Sequence, residues 1–392
     1  MVRIVTTEKI PLLLWADALD DEALAQARNL ANLPCAFHHV AVMADAHVGY
    51  GMPIGGVLAA LGAVVPNGVG VDIGCGMRAV RTGLTEIEPA ALKKIVAGLR
   101  KAVPLGFKHH DRPRPLRALP AFDAMDGMDR EMPVVAEEFA SARRQLGTLG
   151  GGNHFIELQR GSDNRIWLMV HSGSRNLGYK VAGHYNALAM QLARNQKDAV
   201  PKEQQLAMLP AASEEGRRYL REMNYCVAFA RANRGEMMAA FQEIVAEIAG
   251  CDQFAEPLDV AHNYAARETH FGQEVWVHRK GATRALLGEY GIIPGSQGSC
   301  SYIVRGLGNP QSFMSCSHGA GRVLGRKEAQ RTLNLREEID KLNARHVLHS
   351  LRNRSDLEEA PGAYKDIGKV IDNQRDLIEV VVELQPLAVL KG

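Results

Sequence analysis

Short runs of β-branched and aromatic residues, each bounded by glycine or polar residues, recur along the chain. They occupy residues 166–170, 275–277, 302–304 and 378–384. Because strands favour β-branched and aromatic side chains and end at turn-forming residues, we predict a β-strand at each of these positions.

Two stretches instead repeat apolar residues at the spacing of a helix face. Residues 86–101 predict one helix, and residues 213–249 predict a much longer one that Gly235 is expected to interrupt or kink. The longer stretch carries a stripe of methionine and aromatic residues. Such a stripe is typical of core packing, so we assign no chemistry to it.

Two further segments differ from the rest in composition. Residues 104–145 are rich in proline, arginine and aspartate, and they predict an insertion or a cover over a site. Residues 322–359 carry many arginines in a helical context, for which a solvated helix face is the commoner meaning and a phosphate-binding surface the rarer one. Glycine clusters are spread from residue 45 to residue 321. We therefore expect an α/β protein in which residues 1–392 form one domain and build one site together.

Composition limits the possible classes of protein. Apolar residues make up 46 % and charged residues 23 % of the chain, as in globular proteins. The net charge of +2 excludes an overall basic field, so any nucleic-acid surface has to be local. The sparse cysteines form no C-x-x-C pair. No apolar run is long enough for a membrane span. The acidic residues Asp17, Asp20, Asp21 and Glu22 do not suit a signal peptide. We expect a cytoplasmic protein without membrane contact.

Glycine is concentrated beside side chains that bind metals. Residues 70–76, Gly-Val-Asp-Ile-Gly-Cys-Gly, hold Asp72 and Cys75 in a turn whose glycines allow both side chains to point to one place. On its own, this pattern is more often a turn-capping aspartate beside a buried cysteine.

Three histidines at predicted loop–strand junctions change that balance: His154, His171 and His262. Together with Asp72 and Cys75 they give more donors than the four of a closed tetrahedral zinc site. A site for two ions bridged by the thiolate would use all of them.

Other clusters have chemistry suited to phosphate. The glycine loop 147–152 leads through Asn153 and His154 to Glu157, and backbone N–H groups in such a loop can hold phosphate. Arg175 follows His171 closely and could clamp an oxyanion. A Gly/Ser loop from Ser296 to Ser301 is a weak nucleotide signal.

His318 is a candidate nucleophile. It lies in Ser-His-Gly-Ala-Gly-Arg, where flexible backbone exposes its ring and Arg322 could hold a phosphate. An imidazole in this setting suits attack on phosphorus, with a general base and an ordinary turn histidine as alternatives. Asp45 and His47 lie on one face of an extended segment.

Taken in order, these blocks resemble the RtcB-type RNA-splicing ligases, and the resemblance covers essentially the whole chain. The matching segments are 45–49, 70–76, 152–157, 171–175, 262–264, 278–281, 294–296, 317–322, 363–366 and 391–392. The resemblance implies a fold with mixed β-sheets flanked by helices and an active site in a central cleft.

The resemblance also implies an activity. The family uses GTP and Mn²⁺ to join RNA ends bearing a 2′,3′-cyclic phosphate or a 3′-phosphate to 5′-hydroxyl ends, in tRNA splicing or RNA repair. The reaction passes through a covalent histidine–GMP intermediate and an RNA-3′-pp-5′-G intermediate. The expected partners are GTP and RNA, either tRNA halves or damaged ends. We expect a monomer or weak homodimer and allow for an activating protein.

Residue roles follow from the same resemblance. One metal would be held by Cys75, His171 and His262, and a second by Asp72, Cys75 and His154. His318 would be guanylylated, with Arg175 and Arg322 as clamps on phosphate, and we expect Asp45 to orient the His318 ring. The residues implied in GTP binding are Asn153, Glu157, Asn263, Ser296, Ser301, Gly319, Ala320, Tyr364 and Lys391.

The donor chemistry does not by itself select manganese. Thiolate and imidazole favour zinc, whereas Mn²⁺ prefers oxygen ligands, of which Asp72 is the protein's only one here. The manganese assignment therefore comes from the resemblance. The alternative functions are a metal-dependent cyclic-phosphate or phosphodiester hydrolase acting on RNA ends without ligation, and a non-catalytic RNA-binding protein.

Overall fold

β-Strands and helices are interspersed along residues 3–121, 128–194 and 200–392, the parts of the chain that the computed structural model describes. The strands are β1 (Arg3–Val5), β2 (Leu12–Leu14), β3 (Ala36–Tyr50), β4 (Met52–Ala60), β5 (Ala63–Val64), β6 (Gly76–Arg81), β7 (Phe155–Gly161), β8 (Ile166–Ser172), β9 (Leu209–Pro210), β10 (Leu258–Ala261), β11 (Asn263–His270), β12 (Gln273–Lys280), β13 (Ala282–Arg284), β14 (Tyr290–Ile293), β15 (Ser301–Gly306), β16 (Ser315–Ser317) and β17 (Ile378–Lys391). The helices are α1 (Asp21–Ala31), α2 (Pro66–Val69), α3 (Pro89–Ala102), α4 (Met128–Glu131), α5 (Pro133–Gln145), α6 (Arg175–Ala193), α7 (Glu214–Ala249), α8 (Arg326–Thr332), α9 (Leu335–Ala344) and α10 (Ile367–Asp372).

Most strands belong to two large sheets. The first has the order β1-β2-β3-β4-β12-β11, and the second has the order β10-β6-β8-β7-β17-β15-β14. Strands β2 and β3 run parallel, whereas the strands of the second sheet pair antiparallel. The predicted α/β class with mixed sheets flanked by helices is confirmed.

The strands predicted from β-branched runs are confirmed as well. Residues 166–170 lie in β8, 275–277 in β12, 302–304 in β15 and 378–384 in β17. The helix predicted over 86–101 corresponds to α3, which begins slightly later because Pro89 occupies its first turn.

Helix α7 shows why a single pattern can specify so long an element. The hydroxyl of Ser213 accepts a hydrogen bond from the Gly216 backbone N–H at 3.0 Å, and Gly250 ends the helix in the left-handed conformation with φ 65°. The interruption expected at Gly235 does not occur, because the helix runs unbroken from Glu214 to Ala249. The alternative of a kink at Gly235 stays a prediction. One glycine costs a helix only about 1 kcal/mol, which the buried face of α7 can offset.

That buried face covers the second sheet. Met237 and Phe241 of α7 pack with Leu99 of α3 against Ile156 and Leu168 of the sheet. The stripe assigned to core packing from the sequence is therefore confirmed as core.

The segment 104–145 is more ordered than its composition suggested. Its last part forms α5, where Val134 and Val135 are buried in the core shared with α6 and α7. Residues 122–127 of the same segment lie outside the described residues. The helical context predicted for residues 322–359 is confirmed by helices α8 and α9, which lie within this segment.

Within the described ranges, no helix combines the length and the apolar character needed to cross a membrane. Each cysteine is a free thiol. The single-domain organisation expected for residues 1–392 stays a prediction.

Candidate active site

Metal-binding side chains lie at the ends of neighbouring strands of the second sheet, all at the same end of the sheet. Cys75 directly precedes β6, His171 lies near the end of β8, His154 directly precedes β7, and His262 directly follows β10. Because β10, β6, β8 and β7 are adjacent and antiparallel, the start of one strand lies beside the end of the next.

The register of the strands fixes this meeting point. Gly76 lies opposite both Ser172 and Ala261, so the residues beside them in sequence converge. A Cβ atom at Gly76 would lie 2.1 Å from the Val260 carbonyl oxygen, so only glycine allows β10 to approach this closely.

The side chains converge in two overlapping groups. Cys75 Sγ lies 3.3 Å from His171 Nε2 and 3.4 Å from His154 Nε2, and His154 Nε2 lies 3.0 Å from Asp72 Oδ2. The donor atoms of Cys75, His171 and His262 all lie within 4.8 Å of one another, and so do those of Asp72, Cys75 and His154. The structure therefore brings together all five predicted metal ligands, with Cys75 common to both groups.

Hydrogen bonds orient two of the imidazoles. His171 Nδ1 lies 3.1 Å from the Asn153 carbonyl oxygen and His154 Nδ1 lies 3.0 Å from the Leu149 carbonyl oxygen. These contacts through Nδ1 turn each Nε2 atom toward Cys75, which is the orientation that a metal ligand requires.

The electrostatics of the cluster favour a bound cation. Burial lowers the pKa of His171 and of His262 well below the usual range, so both rings are neutral. Burial, together with the Asp72 carboxylate, raises the pKa of the Cys75 thiol well above its usual value. A thiolate at this position therefore needs a positive charge beside it.

An unpaired atom supports the same interpretation. The Nδ1 atom of His262 is buried and has no hydrogen-bond partner among the described residues. A buried polar atom without a partner is costly, and a metal ion would satisfy it. The donor set fits two divalent ions that share one sulfur.

His318 lies next to this cluster and is held by Asp45. The His318 ring centroid is 4.8 Å from that of His262. Asp45 is fully buried, and its Oδ2 atom accepts hydrogen bonds from His318 Nδ1 at 2.7 Å, from the His318 backbone N–H at 3.1 Å and from the Gly319 N–H at 3.2 Å. Although burial opposes it, the neighbouring His318 ring holds the pKa of Asp45 below its usual range. With Nδ1 engaged, Nε2 is the nitrogen of His318 available for reaction.

A cavity with roughly 770 Å³ of empty space, part of it open to solvent, extends from His318. Of the residues predicted to bind GTP, those lining it are Asn153, Glu157, Ser296, Gly319, Ala320, Tyr364 and Lys391. Arg322 and His171 also reach its wall, so the cavity joins the nucleotide residues to the metal-binding cluster.

The carboxyl group of Glu157, which lines this cavity, has a raised pKa. Burial raises the pKa of its carboxyl to about 8. Gln159 donates from Nε2 to Glu157 Oε1 at 2.7 Å and to Ser301 Oγ at 3.0 Å. Ser301 therefore contacts Gln159, and Gln159 in turn contacts the cavity residue Glu157.

Two predicted residues occupy supporting positions. The Asn263 side chain donates to the Asp72 carbonyl oxygen at 3.0 Å and accepts from the Gly281 N–H at 2.8 Å, so both ends of its amide bind backbone. Arg175 Nη1 lies 3.2 Å from His154 Nδ1, on the metal side of the site.

Glu359 is a site residue that sequence reasoning missed. Its carboxylate pairs with Lys391 Nζ at 2.9 Å and with Arg322 Nη1 at 3.1 Å, and it also accepts a hydrogen bond from the Tyr364 hydroxyl. Although burial opposes it, Lys391 and Arg322 keep the pKa of Glu359 below its usual range. Arg322, predicted as a phosphate clamp, is thus also tied to a carboxylate.

Helix α7 contributes two more residues that sequence reasoning missed. Asn233 Oδ1 accepts from the Gly147 N–H at 2.7 Å, and its Nδ2 donates to Ser172 Oγ at 3.1 Å. Arg234 donates to the carbonyl oxygens of Gly74 at 2.9 Å and Ser172 at 3.0 Å. These side chains join the loops that carry Cys75, His154 and His171.

Comparison with known proteins agrees with this geometry. The chain matches the protein family described as tRNA-splicing ligase RtcB over residues 26–392. It is 37 % identical to the RNA-splicing ligase RtcB of Escherichia coli (strain K12), with 100 % of this chain and 99 % of that protein covered. It is 35 % identical to the tRNA-splicing ligase RtcB of Thermococcus kodakarensis, with 95 % and 91 % covered.

Proposed function

Because this chain belongs to the RtcB family of tRNA-splicing ligases, we propose that it is a GTP- and Mn²⁺-dependent RNA ligase. It would join RNA ends that carry a 2′,3′-cyclic phosphate or a 3′-phosphate to ends that carry a 5′-hydroxyl. The observation that carries the proposal is the His318 ring. It is fixed by Asp45 through Nδ1 and lies between a cavity lined by residues predicted to bind GTP and a cluster of metal-binding side chains.

In the proposed first step, His318 Nε2 attacks the α-phosphorus of GTP. A P–N bond forms, and pyrophosphate leaves with the electrons of the broken P–O bond. Asp45 holds the ring in place and stabilises the positive charge that develops on it, as a buried carboxylate does for other catalytic histidines.

In the proposed second step, an oxygen of the RNA 3′-phosphate attacks the GMP phosphorus. The P–N bond breaks, His318 is restored, and the RNA now ends in a 3′-pp-5′-G group. The 5′-hydroxyl of the other strand then attacks the 3′-phosphorus and releases GMP. Positioning and charge stabilisation account for most of the acceleration in phosphoryl transfers of this kind.

The metal ions would be held by Cys75, His171 and His262, and by Asp72, Cys75 and His154. When bound, they would offset charge on the phosphates and activate water for opening of a cyclic phosphate. Arg175, beside His154, is suited to bind the RNA phosphate near them.

The nucleotide would occupy the cavity next to His318. We assign Glu157, Tyr364 and Lys391 to contacts with guanosine, with Asn153, Ser296, Gly319 and Ala320 completing the wall. Ser301 and Asn263 then support the site through Gln159 and the Asp72 loop respectively.

A hydrolase acting on RNA ends without ligation would need the metal cluster but not a nucleotide cavity beside His318. A joining assay separates the two activities. Incubation with Mn²⁺, GTP and two RNA strands, one ending in a 3′-phosphate and the other beginning with a 5′-hydroxyl, is expected to give the joined product.

His318→Ala should abolish joining, while His184→Ala, which removes an exposed histidine of α6, should leave it unchanged. With a strand that ends in a 2′,3′-cyclic phosphate, opening of that cyclic phosphate without joining would support the hydrolase and contradict the ligase. The cytoplasmic location and the monomeric or weakly dimeric state stay predictions.

A further inference from the structure

The loop of residues 106–112 presents an aromatic ring entirely to solvent. Phe107 is 101 % exposed, although its backbone is fixed on both sides. The Gly106 N–H donates to the Gly150 carbonyl oxygen at 3.0 Å, and the His110 N–H donates to the Arg144 carbonyl oxygen at 2.9 Å. The exposure of the ring is therefore imposed by an anchored loop.

The anchor of this loop is part of the proposed active site. A Cβ atom at Gly150 would lie 2.1 Å from Arg175 Nη2, so Gly150 is in direct contact with that guanidinium. Arg175 in turn lies 3.2 Å from the metal-cluster residue His154. Gly106, which bonds Gly150, is the residue next to Phe107.

The C-terminal residues beside the proposed nucleotide cavity also contact the anchor of this loop. Gly392, which follows the cavity residue Lys391, packs against both Gly106 and Gly150. The 106–112 loop thus lies at the rim of the site, close to the metal side and to the nucleotide side.

The charged residues of the loop and its anchor are mostly positive. Lys108 and Arg112 of the loop are exposed, and so is Arg144, whose guanidinium donates to the Asp111 carbonyl oxygen at 2.9 Å. Asp111 is the acidic residue of the loop. In a chain whose net charge is only +2, this is a local basic surface.

We propose that the 106–112 loop binds single-stranded RNA leading to the reacting end, with a base stacked on Phe107 and phosphates on Lys108 and Arg112. This inference rests on the proposed ligase function. Aromatic rings flanked by basic residues bind single strands without sequence preference, since every base has a face to stack. A protein-docking site would place further apolar residues in the loop, whereas the exposed residues that follow Phe107 in sequence are Lys108, His109, Asp111 and Arg112.

Binding of RNA can be measured without the reaction. The probe is a fluorescein-labelled single-stranded RNA with a 3′-phosphate, and its anisotropy is followed with Mn²⁺ present and GTP absent. Phe107→Ala is expected to weaken binding roughly five- to a hundredfold, the usual cost of losing one stacked base. Leu287→Ala, which removes a side chain that is 81 % exposed elsewhere, is the matched control and should not change the affinity.

Two further measurements separate stacking from charge. Phe107→Trp should keep the affinity, and its fluorescence should be quenched when RNA binds. Replacing Lys108 and Arg112 together by alanine should reduce the slope of log affinity against log salt by about 1.4, because each phosphate contact on a single strand contributes about 0.7. Phe107→Ala should leave that slope unchanged.

The outcome can be read separately from the proposed function. Phe107→Ala should react with GTP at the wild-type rate when RNA is absent, and its affinity for blunt duplex RNA should stay unchanged because paired bases cannot stack on the ring. Failure of the wild type to react with GTP would contradict the ligase and leave the binding test intact. Equal affinity of wild type and Phe107→Ala for the single strand would overturn the assignment of the loop to RNA binding, and so would a Phe107→Trp fluorescence that RNA does not quench. Either result is also what a protein-binding loop would give.

Discussion

At the scale of single residues, the proposed reaction depends most on Asp45. One buried oxygen of this carboxylate binds the His318 ring and two backbone N–H groups, so it fixes the position of the proposed nucleophile. Asp45→Asn keeps the shape but loses the charge. We expect the rate of reaction with GTP to fall roughly 10- to 100-fold, as measured in single-turnover labelling, while the melting temperature of the fold is retained.

The matched control for Asp45 is Asp21→Asn, an exposed carboxylate in the first turn of α1, which should react like the wild type. An unchanged rate in Asp45→Asn would show that the carboxylate does not orient His318.

Glu157 gives a prediction for pH. Its pKa rises from an ordinary value of 4.5 to about 8 on folding because the carboxyl is buried. The folded protein therefore binds more protons at this group than the unfolded chain does between these values, and the contribution of Glu157 to stability falls as pH rises through that window. Relative to Glu157→Gln, the free energy of unfolding of the wild type should fall by up to about 1.4 kcal/mol per pH unit between pH 5 and 8. Denaturant titrations at several pH values would measure it, and parallel pH profiles for the two proteins would contradict it.

At the scale of elements, helix α7 combines a structural role with a role in the site. Its apolar face covers the second sheet, while Asn233 and Arg234 join the loops that carry the metal-binding residues. Asn233→Leu keeps the side-chain volume but leaves buried backbone groups unpaired. We expect Mn²⁺ binding to weaken roughly 10- to 100-fold, as measured by calorimetry, and the protein to lose about 1–3 kcal/mol of stability.

Arg231→Leu, at an exposed position of the same helix, is the control and should bind Mn²⁺ normally. Normal binding by Asn233→Leu as well would mean that the loops hold their geometry without α7.

The elements also show how far the sequence could be read. The composition of residues 166–170 and the apolar spacing of 213–249 predicted β8 and α7 because local preference and burial agree there. Gly235 led to the prediction of an interruption that does not occur, since the free-energy cost of one glycine does not break a helix that is packed along its length. Asn233 and Glu359 could not be identified, because a polar residue on a helix or loop looks solvated until the fold brings Gly147 to one and Lys391 to the other. Glycine beside Asp72, Cys75 and His154 was a local signal for metal binding, whereas the division of the five ligands into two sets came from the resemblance to the RtcB family.

At the scale of the whole molecule, the metal site and the fold depend on each other. The candidate ligands run from Asp72 to His262 and come from different strands, so the unfolded chain cannot present them together. A ligand that binds only the folded state stabilises it, by about 2.7 kcal/mol at a concentration 100 times its Kd. We expect Mn²⁺ to raise the melting temperature by several degrees and a chelator to reverse the shift.

Cys75→Ser should lose most of this metal-dependent shift because the shared sulfur is gone, whereas Cys300→Ala, away from the cluster, should keep it. A shift of equal size in Cys75→Ser would mean that the stabilising metal binds elsewhere.

The most direct test of the central claim is reaction of the purified protein with GTP labelled at the α-phosphate, in the presence of Mn²⁺ and without RNA. We predict a covalent label on His318 that is released by acid, disappears in His318→Ala and passes to an added RNA 3′-phosphate. A protein that stays unlabelled, or a label that persists in His318→Ala, would contradict it.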